Sequence, residues 1–219
     1  HNFNCLLPVE NISAFFHQAV AEKVEIKSPS LKMHEDKLLR ILKNVKFRKL
    51  DIEINSEESY KILKDLLRTL TSIKEVTIHW NMDGVKIDKA LITGLPLMNR
   101  YSIVAVNHKG FITDDVLLGV IGTSTGSINM YSPQPEITAE GIAEAFRMIY
   151  TDRNPRCVSY YAPREAVMAF LGRLDQFRFT IAENTIKHVV SGATLTYNDI
   201  CLDESARSIK MCNYPCQFI

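Results

Sequence analysis

The residues in this sequence whose types could do chemistry are few, and their spacing argues against most of it. Asp114–Asp115 and Glu57–Glu58 are adjacent carboxylate pairs, the nearest approach to an acid–base couple. Successive residues on a helix point apart, and each pair falls where a first helical turn would begin. They are expected to complement the positive end of a helix dipole, not to share a proton. Gly119, Gly122 and Gly126 form a glycine-rich run. A phosphate cradle needs strand, loop and helix in that order, with a Lys-Ser/Thr pair. This run leaves a helix and no such pair follows, so a turn is expected. The 5 cysteines, at 5, 157, 201, 212 and 216, lack disulfide-type or paired zinc spacing. Cys201, Cys212 and Cys216 with His188 come nearest to a metal set, but zinc motifs supply tighter ligand pairs. Reduced thiols in an intracellular protein are expected. No catalytic residue, cofactor or metal is assigned, and the chain is read as a non-enzyme. An enzyme with a site at the strand ends is the least favoured alternative.

Charge narrows the partners. The 26 basic and 25 acidic residues leave a formal charge of +1, so no global field attracts nucleic acid or an acidic membrane. Lys37, Arg40, Lys43, Lys46, Arg48 and Lys49 form the one basic cluster, flanked by Glu35, Asp36 and Asp51. A solvated face is the expectation there. RNA binding through segment 37–49 is the alternative that the cluster supports. With 46% hydrophobic and 23% charged residues the composition is that of a globular protein. No apolar run approaches the ~20 residues of a membrane helix. No basic-plus-apolar leader is visible, so the sequence is read as a fragment or a processed form; with reduced thiols expected, the expected location is cytoplasmic or nuclear.

The elements that must position any site follow a repeat. Ile112-Thr113-Asp114-Asp115 recurs as Ile137-Thr138-Ala139-Glu140, an offset of 25 positions (137 − 112), with a weaker copy at Ile87-Asp88-Lys89. Each copy joins an apolar residue to a Thr or Asp suited to capping a helix. Apolar β-type runs keep the same beat at Val24–Ile26, Leu50–Ile54, Val76–Trp80, Ile103–Val106 and Ile128–Tyr131. A period in the 20s means stacked units, each too small to bury its own apolar face. The pattern predicts parallel strands near 24–27, 50–54, 75–80, 101–106, 127–131, 157–161 and 177–181, each but the last followed by a helix on one face. The helix after Asn55 or Ser56 reads most clearly, with Ile62, Leu63, Leu66, Leu67 and Leu70 at three-to-four spacing. The expected fold is therefore α/β: a leucine-rich-repeat-like solenoid of ~25-residue strand–helix units with one curved, mainly parallel sheet. Residues 1–22 are read as an N-terminal capping helix, 23–191 as the repeat domain and 192–219 as a β-rich cap. Short strands are expected in the cap at 195–197 and 209–212, around an acidic turn at Asp203 and Glu204.

In such a stack the apolar alternates point to the helices and the others line a continuous open sheet. The candidate partner-binding row is Asp51, Glu53, Glu75, Thr77, His79, Asn129, Tyr131, Ser159, Tyr161 and Arg178. One end of that row is acidic and the other carries Tyr and Arg, types enriched at binding hot spots. Tyr131, Tyr161 and Arg178 are expected within one footprint.

The ordered phrases Ile112-Thr-Asp-Asp, Ile128-Asn-Met-Tyr-Ser-Pro, Ile137-Thr-Ala-Glu-Gly and Arg156-Cys-Val-Ser-Tyr-Tyr resemble the C-terminal F-box-associated regions of nematode F-box proteins. The likeness spans residues 45–175. It implies a leucine-rich-repeat-like substrate-recognition domain of a cullin-RING ubiquitin ligase, binding a protein partner. In that family an F-box precedes this region and docks the ligase adaptor. Residues 1–45 show no F-box phrase, so an adaptor is an expected partner only where an F-box lies upstream.

Overall fold

The computed structural model describes residues 20–26, 42, 45–69, 73–81, 98–104, 112–132, 135–154, 156–175, 177–200 and 203–213. In chain order their elements are β1 (Val20–Ile26), β2 (Lys46–Ile54), α1 (Glu57–Thr69), β3 (Glu75–Trp80), β4 (Met98–Val104), α2 (Asp114–Thr123), β5 (Ser124–Tyr131), α3 (Ala139–Thr151), β6 (Cys157–Pro163), α4 (Arg164–Leu171), β7 (Phe179–Ala182), β8 (Thr185–His188), β9 (Thr194–Ile200) and β10 (Asp203–Cys212). All ten strands belong to one open sheet of order β1-β2-β3-β4-β5-β6-β10-β9-β8-β7. The first six lie side by side in chain order and pair in parallel. The last four pair antiparallel, with β10 closing against β6.

Period-two patterning sets the faces. In β2 Leu50, Ile52 and Ile54 are buried while Lys49, Asp51 and Glu53 between them are half-buried. In β3 Val76, Ile78 and Trp80 alternate the same way with Glu75, Thr77 and His79. Register then aligns the apolar sets, so that Ile26, Ile52, Ile78, Ile103, Met130, Tyr160 and Ile209 form one row across seven strands. The helices cover this row. Ile62, Leu63 and Leu66 of α1, Val116, Leu117, Val120 and Ile121 of α2, and Ile142, Ala145, Phe146 and Ile149 of α3 join it in one apolar cluster. Ser56 caps α1 by accepting from the Ser59 amide at 3.2 Å, and the Ser59 hydroxyl donates back to the Ser56 carbonyl at 2.8 Å. Glu57 and Glu58 occupy the first turn, as the dipole argument requires.

The repeated motif locks one unit to the next. Ile112 and Ile137 are both buried, and Thr113 bridges Glu136 in parallel. Asp114 does more than face the helix end. Its carboxylate accepts the Thr138 amide at 2.9 Å and the Thr138 hydroxyl at 2.6 Å. Thr138 in turn caps α3 by accepting from the Gly141 amide at 3.1 Å. A Cβ at position 141 would meet Asp114 Oδ1 at 1.9 Å, so only glycine fits beside the carboxylate. Further along, Glu140 pairs with Arg173 after α4, and that guanidinium holds the carboxyl below its ordinary value.

Several sequence expectations change. Residues 20–22 belong to β1 rather than to a capping helix, because Val20 and Ala21 pair with Lys46 and Phe47; residues 1–19 lie outside the described set. The helices expected after the first and third strands also lie outside it, apart from Leu42, which is helical and buried. Thr113 makes no capping bond, since its motif instead receives the strap from the next unit. Gly119 and Gly122 are inside α2 and Gly126 is in β5, so the glycine run is not a turn. Gly126 is needed because Asn99 O would stand 2.1 Å from a Cβ there, where β5 carries an extra residue against β4. The seventh strand is antiparallel and lies at the far edge of the sheet, not beside β6. A two-residue hairpin turns the chain between Ala182 and Thr185, with Glu183 at φ 51. The antiparallel part thus begins at Phe179, before residue 192. Asp203 lies inside β10, paired with Ile200, so the expected acidic turn is strand.

At this antiparallel end His188 is 8% exposed. Its ring stacks on Tyr150 at 4.2 Å and touches Phe179 at 5.3 Å. The Ser191 amide donates to Nδ1 at 3.2 Å, which requires that nitrogen to be unprotonated. Burial, aided by the Arg178 charge, holds the imidazole pKa below 6.5.

Three outcomes are expected. Ile52→Ala and Ile78→Ala should each cost ~2–5 kcal/mol in denaturant unfolding, and Glu53→Ala less than ~0.5 kcal/mol; equal losses would mean reversed faces. Gly141→Ala alone should cost about 1–3 kcal/mol by forcing the Asp114 strap open. In an Asp114→Ala background the same change should be near neutral, and additive costs in the double-mutant cycle would contradict the strap. For His188, the unfolded imidazole protonates at its ordinary 6.5 while the folded one resists. Its contribution to stability is complete above that pH and is lost as pH falls through the folded value. The fall in thermal midpoint between pH 7 and pH 5 should be smaller in His188→Gln than in the native chain, and an unchanged slope would refute this role.

Candidate functional site: the open face of the sheet

The face opposite the helices carries three registered rows. One runs Glu25, Asp51, Thr77, Ser102, Asn129, Ser159, Lys210, Thr196, Thr185, polar at every position from β1 to β8. Toward the C-terminal ends of the parallel strands a second row begins Glu53, His79, Val104, Tyr131. Tyr161 extends it, its ring meeting Tyr131 edge to face at 5.3 Å and 68°, and Ser208 and Asn198 follow. On the other side lie Lys49, Glu75, Arg100, Ser127, Cys157 and Cys212. Strands stand ~4.8 Å apart, so Glu53 and Tyr161 are separated by about 19 Å.

The acidic end is a charge network. Asp51 accepts from Lys23 Nζ at 2.9 Å and stands 3.0 Å from His79 Nε2. Lys23 also reaches Glu25 at 2.7 Å. The Glu25 hydrogen bond, with that to Asp51, raises the Lys23 pKa and keeps it a cation. Lys49 lies between Glu22 at 3.5 Å and Glu75 at 3.8 Å. Asn81 donates to Glu53 at 2.7 Å. Together Glu25, Ile26, Asp51, Glu53, His79 and Asn81 line an open depression of about 380 Å³ at the ends of β1 to β3. Exposed pairs of this kind add little stability; their effect is to present fixed donors and acceptors. At the other end Tyr131 is 37% exposed, and desolvation, then the neighbouring Tyr161, pushes its pKa up, so it is a neutral donor at physiological pH.

Nine of the ten candidate residues therefore share the open face: Asp51, Glu53, Glu75, Thr77, His79, Asn129, Tyr131, Ser159 and Tyr161. Arg178 does not join the tyrosines. It precedes β7, and β10, β9 and β8 intervene between that strand and β6, a separation of about 19 Å at ~4.8 Å per strand. The acidic end is not an unbroken acidic field either, because Lys23 and Lys49 interleave with its carboxylates. Sequence reading also left out β4. Ser102 and Val104 are on the open face, in register with Thr77 and His79 of β3. The basic segment is divided: Lys46 and Arg48 are exposed, Lys49 is in the open-face network, and Lys37, Arg40 and Lys43 lie outside the described residues.

Among the described residues no group of three or more His, Cys, Asp or Glu is placed to hold a metal ion. His188 stacks against Tyr150 on the helix side, while Cys212 registers with Cys157 on the open side, so the two do not converge on one site. None of the described helices is long and apolar enough to cross a membrane. No family model, curated protein or solved structure matches this chain.

Proposed function

We propose that the chain acts by binding, with the open face of the sheet as a protein-recognition surface. The observation that carries this reading is the Glu53–His79–Val104–Tyr131–Tyr161 row. It places fixed charged and hydrogen-bonding groups beside an aromatic pair with polar tips. Such a mixture suits a folded protein surface: the tyrosines bury apolar area while retaining hydroxyl donors, and the ion-paired end sets register and excludes wrong partners. The depression is open and lined by Glu25, Asp51, Glu53, His79 and Asn81 together with Ile26, so it suits a side chain from a partner better than an enclosed small molecule.

In the finer form of this reading the six parallel strands and their helices are leucine-rich-repeat-like units of a solenoid, and the strand face is its concave surface. Chain-order adjacency of β1 to β6 and the Asp114–Thr138 strap between successive units support it. With the resemblance to F-box-associated regions, the role is that of the substrate receptor of a ubiquitin ligase. The bound protein would be presented for modification, and an F-box upstream would supply the adaptor contact.

The test compares proteins retained from a cell lysate by the immobilised chain with those retained by variants, then titrates the partner found. Tyr131→Ala with Tyr161→Ala should weaken binding by more than about 2 kcal/mol, roughly 30-fold, with the melting transition nearly unchanged. Lys46→Ala with Arg48→Ala should change it little. Loss of binding in the basic pair alone, with retention of RNA and steep salt dependence, would refute the proposal in favour of nucleic acid.

A further inference from the structure

Cys157 and Cys212 are 55 positions apart in the chain, yet the fold sets their sulfurs 2.8 Å from each other. They are direct cross-strand partners, Cys157 opening β6 and Cys212 ending β10. The neighbouring pair fixes which kind of site this is. The Asn213 amide donates to the Arg156 carbonyl at 3.3 Å, so 156 and 213 form the hydrogen-bonded pair. Cys157 and Cys212 therefore occupy the adjacent non-hydrogen-bonded pair, where side chains stand closest and Cα atoms are about 4.5 Å apart. That separation lies at the short end of the range a disulfide spans, about 4.4–6.8 Å.

The register is held from outside the two cysteines. The Asn213 side chain donates to the Asp152 carbonyl at 3.1 Å and the Asn154 carbonyl at 2.7 Å, and accepts the Arg156 amide at 2.7 Å. Arg156 pairs with Asp152 and donates to the Ile121 carbonyl. Asp152, Asn154 and Arg156 are thus clamped to the end of β10 by contacts that do not involve the thiols. Access differs between the two sulfurs: Cys157 is half-buried, and Cys212 is 2% exposed.

We infer that Cys157 and Cys212 are a modification site: a dithiol that converts reversibly to an intramolecular disulfide at the junction of the parallel and antiparallel halves of the sheet. The oxidant is a low-molecular-weight disulfide, RSSR. The more accessible Cys157 thiolate attacks one sulfur of RSSR, forming Cys157–S–S–R and releasing RS⁻. Cys212, losing its proton to water, attacks the Cys157 sulfur, forms the Cys157–Cys212 bond and expels the second RS⁻. Two electrons pass from the protein to RSSR, and the two thiol protons end on two RSH. The bridge closes a loop containing α4 and β7 to β9. It therefore restricts the unfolded chain and ties β10 to β6 beside the open face.

The experiment equilibrates the full chain with glutathione at graded ratios of oxidised to reduced form, alkylates and digests it. Trypsin yields 157–164 and 211–219, and fragmentation separates Cys212 from Cys216 in the second peptide. A Cys157–Cys212 cross-link should form in the native chain and be lost with dithiothreitol. It should raise the thermal midpoint by several degrees, on the order of 5–15 °C. Cys157→Ser and Cys212→Ser should each abolish both effects, while Cys201→Ser keeps them. Cross-links joining Cys157 to another cysteine, a bridge that forms only in denaturant, or a midpoint that does not rise on oxidation would each overturn the inference.

Discussion

The constraint on which the rest depends is register along the inner apolar row. Ile26, Ile52, Ile78, Ile103, Met130, Tyr160 and Ile209 stand opposite one another in sequence across the sheet, each 4% exposed or less. A slip of one residue in any strand would carry its buried side chains to the open face and its charged ones into the core. The helices respond to this row: α1, α2 and α3 each present an apolar stripe to it. The open face is the complement of the same alternation, so Asp51, Thr77, Ser102, Asn129 and Ser159 align because the isoleucines do.

A second interaction ties neighbouring helices together at the middle of the sheet. Asp114, Thr138 and Gly141 form a unit in which the carboxylate of one helix start holds the capping residue of the next, and the missing Cβ makes room for it. The cost to the sequence is a glycine in a first turn, where a short side chain would otherwise serve. The benefit is that α2 and α3 keep a fixed offset, and with them β5 and β6, which bear Tyr131 and Tyr161. Placement of the aromatic pair is thereby traced to a carboxylate on the other side of the sheet.

Much of this was legible in the amino-acid sequence, because alternation and helix caps are local signals. Leu50, Ile52 and Ile54 against Asp51 and Glu53 specify a strand and its faces, and the recurrence of Ile112-Thr113 as Ile137-Thr138 marks the two helix starts, of α2 and α3, that meet at the strap. Direction is not a local signal. Phe177, Phe179 and Ile181 alternate as the parallel strands do, yet β7 runs antiparallel to β8 at the far edge. The hairpin that reverses the chain places Glu183 at φ 51, where glycine is usual, so no turn dipeptide marks it. Tyr197 holds that turn from β9, through its amide to the Asn184 carbonyl and its hydroxyl to the Glu183 carbonyl. Long-range pairing was equally hidden. Lys23 meets Asp51 and Cys157 meets Cys212 only through register, and composition could give no more than residue types that attract or react.

The parallel and antiparallel halves form one sheet, joined where β10 pairs along β6 from Ala206–Pro163 to Cys212–Cys157. Apolar continuity supports it, since Val158, Tyr160, Met211, Ile209, Leu195 and Ile186 belong to the same cluster as the first strands. Native-state hydrogen exchange in low denaturant measures this most directly. If the joined sheet unfolds as one unit, the slowest amides of β3, β5, β6, β9 and β10 exchange with the same free energy and the same denaturant dependence, that of global unfolding. A separate isotherm for β7 to β10, well below that of β2 to β6, would show the antiparallel strands opening as an independent unit and would contradict it.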